Sequence, residues 1–257
     1  MLRIIKILLF SLSVAALLTL MGFIMIVNKQ AIVKEVDINI FRNSPKGFLS
    51  EEIILKSINN LDTIDSLTVK DINLSRIEDV LVLNPYVKNA DCYITLDGNL
   101  TINIKEKHPV LRVYNKDGVS IYIDNYGDFV PLSTRFTPRV LVASGYINEQ
   151  VNNLNSNIFD TTYNNTYMRK VFYLYSKITA NNFLNSQIGQ IYVNSKGEYD
   201  LVPLLGEHLV KLGPLENIDD KLINLEAYYR KNLTIPDWDK YRTINLTYRD
   251  QIVCTKK

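Results

Sequence analysis

The sequence has little of what metal-binding, disulfide-stabilised and hydrolytic proteins need. Among its 257 residues are two cysteines, Cys92 and Cys254, and two histidines, His108 and His208. Two cysteines cannot build a disulfide framework, no C-x-x-C pair exists, and two histidines exclude a histidine-rich metal site. G-x-S-x-G, H-E-x-x-H, Walker-type and G-x-G-x-x-G motifs are also missing. These absences favour a protein with no catalytic residue, no metal site and no cofactor.

An excess of positive charge is missing as well. Lysine and arginine total 29 and aspartate and glutamate total 27, which leaves a net charge of +2 and argues against nucleic-acid binding. Without residues 1–30 the chain keeps 26 basic and 27 acidic residues, so bulk charge does not favour polyanions or anionic lipid either. The composition, with 47% hydrophobic and 22% charged residues, is that of a globular protein.

One long apolar run, Ile7–Val27, stands near the start of the chain. It carries no charge, and as a helix it would span about 30 Å, the thickness of the bilayer hydrocarbon. Arg3 and Lys6 precede it, which favours a cytoplasmic tail at residues 1–6 and a C-terminal part outside the membrane. A cleaved signal peptide is the competing interpretation. We expect an uncleaved single-pass anchor, because signal peptides have apolar cores of about 7–15 residues and an A-x-A-like site.

Residues 33–106 show the pattern of a small α+β domain. Val33–Phe41 alternates as a strand, Ser50 can begin a helix, and Ser75 opens a second helix with a capping-box pattern. Two further alternating segments flank Asp97-Gly98-Asn99, a tight hairpin signal. The predicted order is β-α-α-β-β, with Cys92 as a small buried residue rather than a reactive thiol.

Residues 109–257 indicate a mostly antiparallel β domain with two helices, Thr166–Asn182 and Asp219–Asn232. The chain closes with Tyr241–Cys254, which we predict as one long strand that can bend. If this strand lies at a sheet edge, its amides and carbonyls can receive a partner strand. An ordinary terminal strand blunted by Lys256 and Lys257 is the alternative.

The order of short motifs resembles a known family. The motifs are LVLNPYVKNADCYITLDGNLTINIKEKHPVLRVY (Leu81–Tyr114), YIDNYGDFVPL (Tyr122–Leu132), HLVKLGPLENIDDKLINLEAYY (His208–Tyr229) and the closing segment. Together with the anchor and the β-α-α-β-β order, they resemble the bacterial cell-division FtsQ/DivIB family, its Bacteroidota branch in particular.

The resemblance implies a POTRA domain at 33–106, an FtsQ-type β domain at 109–257 and a non-enzymatic divisome scaffold. It implies a bitopic inner-membrane protein at the division septum, with its bulk in the periplasm, that supports septal cell-wall synthesis. The implied partners are FtsB-like and FtsL-like division proteins and other divisome components.

In the family, the last strand pairs with a strand of FtsB beside the preceding helix. Carried over, the partner-binding residues of the closing segment are Thr243, Ile244, Asn245, Leu246, Thr247, Tyr248, Arg249, Gln251, Ile252 and Val253. The preceding helix supplies Lys221, Tyr229 and Arg230 as rim contacts. Some relatives have a tryptophan near the end, where this chain has Lys256.

Two other functions remain open at the level of sequence. The first is another POTRA-bearing envelope-assembly or transport component, which would need a membrane barrel after the POTRA domain. The second is a membrane-anchored periplasmic enzyme, for which the residues offer no catalytic constellation.

Overall fold

A computed structural model describes residues 10–21, 33–59, 68, 71–232, 240–249 and 251–257. The chain divides into two compact units between Lys107 and His108. Residues 10–21 are helical, whereas the tail at 1–6 and the two ends of the predicted span Ile7–Val27 lie outside the described residues. None of the helices that the structure describes combines the length and the apolar character needed to cross a membrane.

The first unit has the predicted β-α-α-β-β order. Its elements are β1 (Val36–Phe41), α1 (Glu51–Asn59), α2 (Leu74–Val82), β2 (Val87–Ile94) and β3 (Leu100–Glu106). The sheet order is β1-β3-β2, with β1 parallel to β3 and β2 antiparallel to it. Two helices lie between β1 and the hairpin because a parallel pairing needs a crossover connection.

The core of this unit lies between the sheet and the helices. Buried Ile54 and Ile58 of α1 and Leu81 of α2 pack with Ile102 and Ile104 of the central strand. The start of α2 differs from the prediction by two residues. Asn73, not Ser75, caps this helix by accepting a hydrogen bond from Arg76 N at 3.1 Å.

The second unit is built on one mixed sheet. Its strands are β4 (Pro109–Tyr114), β5 (Ser120–Asp124), β6 (Phe129–Val130), β7 (Leu141–Gly145), β8 (Ile188–Val193), β9 (Tyr199–Pro203), β10 (Leu209–Gly213), β11 (Tyr241–Asn245) and β12 (Val253–Lys256). Within the described ranges, the order is β12-β11-β10-β9-β8-β7-β4-β5-β6. The pairs β4–β7, β7–β8 and β10–β11 are parallel, and the other neighbours are antiparallel. The prediction of a mostly antiparallel sheet is therefore confirmed.

The helices of this unit are α3 (Tyr167–Thr179), α4 (Asn182–Gln187) and α5 (Ile218–Asn232), with a short 3₁₀ turn at Thr161–Tyr163. The predicted single helix Thr166–Asn182 is wrong at its end, because a second helix follows it. Asn181 has an extended backbone, and its side chain accepts hydrogen bonds from Phe183 N and Leu184 N. An asparagine in this role begins a new helix rather than continuing the old one.

The closing segment is also different from the prediction. Instead of one strand over Tyr241–Cys254, the chain forms β11 and β12, which pair antiparallel with Ile244 opposite Cys254. The chain leaves the strand direction at Asn245, whose side chain accepts hydrogen bonds from Thr247 N at 2.9 Å and Thr247 Oγ1 at 2.7 Å. Asparagine commonly starts such turns, because its side chain bonds to the backbone two residues later.

Candidate partner-docking edge

Because the closing segment forms two strands, β11 and β12, the backbone groups at the sheet edge belong to β12 and not to β11. β11 lies between β10, to which it is parallel, and β12, to which it is antiparallel. Both of its sides are therefore occupied. β12 stands at the end of the sheet order with β11 as its strand neighbour. An edge strand presents amides and carbonyls that an added strand can bind.

The outward amides of β12 follow from the hydrogen bonds around it. Lys257 N donates to Lys240 O on the β11 side at 3.3 Å. Amides alternate in direction along a strand, so the amides of Cys254 and Lys256 point away from β11. Leu246 N donates to Lys211 O at 2.9 Å on the β10 side, so the neighbouring amide of Asn245 faces β12. Val253 pairs with Asn245, and its amide therefore faces β11, which again leaves Cys254 and Lys256 with outward amides.

Side chains from α5 and from the residues before β10 contact the edge strand and the chain end. Cys254 Sγ donates to the hydroxyl of Tyr228 at 3.1 Å, and Ile252 and Cys254 pack against the hydrophobic core. Burial raises the pKa of Tyr228 well above its usual range, so this hydroxyl stays protonated. Beyond the strand, Lys257 Nζ pairs with Glu207 at 2.7 Å, a contact that is exposed on both sides and therefore weak.

Three of the predicted pairing residues lie inside the sheet. Thr243, Ile244 and Asn245 belong to β11, and Ile244 is fully buried. Leu246, just beyond the strand, is also buried. Since both sides of β11 already have a strand neighbour, Thr243–Asn245 is not an open edge, and a partner strand could pair there only by displacing β10 or β12. The alternation of side chains along a strand does not tell which strands lie beside it.

The predicted residues after Leu246 lie at the surface or in β12. Thr247, Tyr248 and Arg249 are exposed, with Tyr248 at 52%. Gln251 is exposed and Ile252 is half-buried against the core, while Val253 begins β12 and is 41% exposed. The surface part of the prediction is thus the segment that connects the two strands, together with β12 itself.

The three predicted rim contacts on α5 have different surroundings. Tyr229 is 2% exposed, and its hydroxyl lies 2.9 Å from His208 Nε2, so it is a core residue and not a rim contact. Lys221 Nζ donates to Pro214 O at 2.6 Å, and partial burial lowers its pKa. Arg230 is exposed, pairs with Glu226 at 2.8 Å and lies over the ring of Phe183.

The two histidines have different surroundings. His208 is buried and contacts the hydroxyl of Tyr229, and burial strongly raises the pKa of this tyrosine. His108 is exposed. In the part of the chain that the structure describes, no three His, Cys, Asp or Glu residues are grouped so that they could hold a metal ion. Cys92 and Cys254 are both free thiols, as the sequence predicts.

Sequence reasoning missed the separate strand β12 and its contact with Tyr228. One signal was available in the printed sequence. Arg249-Asp250-Gln251 interrupts the alternation with consecutive polar residues, shortly after Asn245, a residue that commonly starts turns. Such an interruption is typical of a hairpin connection.

In a comparison with known proteins, each of the two parts of the chain matches a family model. No curated protein matches it. Residues 31–105 match the model of the POTRA-like domain. Residues 108–255 match the family model described as FtsQ/DivIB, C-terminal related. Since this second match covers more than half of the chain, the protein belongs to the FtsQ/DivIB family of division-related scaffolds.

Proposed function

We propose that this protein is a non-enzymatic divisome scaffold that binds FtsB-like and FtsL-like partners outside the inner membrane and supports septal cell-wall synthesis. In this proposal the segment Ile7–Val27 anchors the protein, with residues 1–6 in the cytoplasm and the two folded units in the periplasm. The observation that carries the proposal is the edge position of β12 in the unit that matches the family model.

Strand addition at β12 fits the contacts around it. A partner strand would bond to the outward amides of Cys254 and Lys256 and extend the sheet by one strand. Alternate side chains of β12 would then lie on the two faces: Val253 and Thr255 are exposed, whereas Cys254 is held against Tyr228. Backbone bonds would supply affinity, and the exposed alternate side chains would supply specificity.

The segment beside β12 offers side chains for the same partner. Tyr248 and Arg249 are exposed next to the strand, and Arg230 is exposed on α5. Tyrosine and arginine are enriched at protein interfaces because they combine apolar area with polar ends. We assign Tyr248 and Arg249 as contacts around the pairing strand. Arg230, which lies over the ring of Phe183, remains a proposed contact on α5.

A proline at Lys256 tests the pairing directly. Lys256→Pro removes an outward amide while leaving the β11-facing amides of β12 in place, and Lys256→Ala is the matched control because it keeps the amide. We expect Lys256→Pro to weaken binding of the purified FtsB-like protein about tenfold or more, and Lys256→Ala to bind like wild type. Isothermal titration calorimetry with the full chain measures both affinities.

Circular dichroism checks that the two variants are folded. If folded Lys256→Pro binds the FtsB-like protein as tightly as Lys256→Ala, β12 is not the pairing strand. If no variant and not even the wild type binds, the proposed partner is wrong. Capture from crosslinked cells would then discriminate division proteins from envelope-assembly proteins.

A further inference from the structure

The sheet of the first unit has an edge that is closed by a side chain. β2 has β3 as its strand neighbour and lies at the end of the order β1-β3-β2. Cys92 N, in the middle of β2, donates to Glu78 Oε1 at 2.7 Å. Glu78 belongs to α2, so a helix side chain occupies a position where a further strand would bond.

The direction of the Cys92 amide follows from the register. Leu100 N donates to Glu35 O at 2.9 Å, on the side of β3 that faces away from β2. Leu100 pairs with Ile94, and Ile102 pairs with Cys92 two residues along. In an antiparallel ladder such alternate pairs share no hydrogen bonds, so the amides of Cys92 and Ile94 point out of the sheet edge.

The packing of α2 places Glu78 at this edge. Ile77 and Leu81 are buried in the core of the unit, which fixes the rotation of the helix about its axis. Glu78 follows Ile77 and is half-buried, close enough for its carboxylate to reach the strand. A carboxylate that accepts from a backbone amide forms one of the stronger classes of hydrogen bond.

The surroundings of Cys92 agree with a carboxylate held at this place. Burial raises the pKa of the Cys92 thiol to about 12, with further contributions from the negative charges of Glu78 and Asp91. The thiol is therefore protonated and does not compete for the amide. Asp91, on the neighbouring position of β2, is exposed and adds a charge of the kind found on protected edges.

We propose that Glu78 closes the β2 edge of the POTRA-like domain to strand addition, so that β2, unlike β12, does not accept a partner strand. Any added strand must first displace the carboxylate from Cys92 N. Removal of the side chain opens the edge, while glutamine, which keeps a carbonyl oxygen at the same position, leaves it closed. The comparison with β12 rests on the proposed function, whereas the closure of β2 is independent of that function.

The test compares Glu78→Ala with Glu78→Gln in the full chain, with Asp79→Ala as a control that removes a neighbouring exposed carboxylate of the same helix. Hydrogen exchange followed by mass spectrometry reports on the Cys92 amide. We expect exchange about tenfold faster or more in Glu78→Ala, and wild-type rates in Glu78→Gln and Asp79→Ala. Circular dichroism checks the fold of each variant.

A synthetic peptide with the sequence LTINIKE, which copies β3 (Leu100–Glu106), is the probe for strand addition. We expect it to protect the Cys92 amide in Glu78→Ala and not in wild type. Unchanged exchange in folded Glu78→Ala, or equal protection by the peptide in wild type, would overturn the proposal. Neither readout uses a division protein, so failure here is distinguishable from failure at β12.

Discussion

At the scale of single residues, Glu106 shows how one buried carboxylate fixes a loop. Its side chain is 4% exposed and accepts hydrogen bonds from Phe48 N at 2.9 Å and Leu49 N at 3.2 Å. Arg42 Nη1 lies 3.8 Å from the same carboxylate. A β-carbon at Gly47 would overlap Glu106, so the glycine leaves room for it. The loop before α1 is thereby tied to the end of β3.

We expect Glu106→Ala to lower the free energy of unfolding by about 2–4 kcal/mol, because two backbone amides lose this acceptor and Arg42 loses its counter-charge. Glu106→Gln keeps one carbonyl oxygen and should cost less. Urea unfolding measures both. Glu51→Ala, which changes an exposed carboxylate of α1, is the control and should stay close to wild type. A Glu106→Ala protein as stable as this control would show that the carboxylate does not hold the loop.

At the scale of elements, three hairpins of the second unit have turns of the same geometry. Asn115, Asp124 and Asn194 each accept hydrogen bonds from the amides two and four residues later, and a glycine stands three residues later. These glycines, Gly118, Gly127 and Gly197, have φ of +80°, +86° and +77°. The sequence signals every one of these turns separately, and the common geometry explains why Asn or Asp and Gly recur at this spacing.

Gly118 and Gly127 form a matched pair for substitution by alanine. Both need the left-handed backbone, but a β-carbon at Gly118 meets no atom within 4 Å, whereas one at Gly127 would lie 2.7 Å from Ile158 Cγ2. We expect Gly118→Ala to cost about 1 kcal/mol of unfolding free energy and Gly127→Ala about 3 kcal/mol or more. Urea unfolding of the two variants checks the difference. Equal decreases in the free energy of unfolding would mean that backbone strain alone determines the effect and that Ile158 moves to make room for the new methyl group.

At the scale of the whole molecule, the POTRA-like and FtsQ/DivIB-related matches follow one another along the chain and meet near Lys107 and His108, where the two compact units divide. The proposed scaffold function needs both units outside the membrane. The run Ile7–Val27 is the segment that would hold them there.

We expect the anchor to remain on the mature protein, because the apolar run exceeds the core of a signal peptide and lacks a cleavage site. N-terminal sequencing of the membrane fraction should return a mature chain that still carries Ile7–Val27. A mature chain that begins near Ala31 would contradict this expectation.

The sequence by itself determined the features that local patterns encode. The β-α-α-β-β order of the first unit, the hairpins and the strand segments β8 and β9 follow from periodicity and turn residues, which act over a few neighbouring positions. Cys92 as a buried, inert thiol also follows from parity within one strand.

Only the tertiary structure decided which backbone lies at an edge. The segment around Ile244 alternates like any half-buried strand, and β11 is enclosed because β10 pairs with it on one side and β12 on the other. The resemblance implies Tyr229 as a rim contact, yet packing buries this side chain, and its hydroxyl lies 2.9 Å from His208 Nε2, just before β10. In the sheet of the first unit, the sequence shows Glu78 only as a polar helix residue. The tertiary structure places its carboxylate 2.7 Å from Cys92 N. Pairing between distant strands sets these neighbours, and the period of two along a single strand carries no information about them.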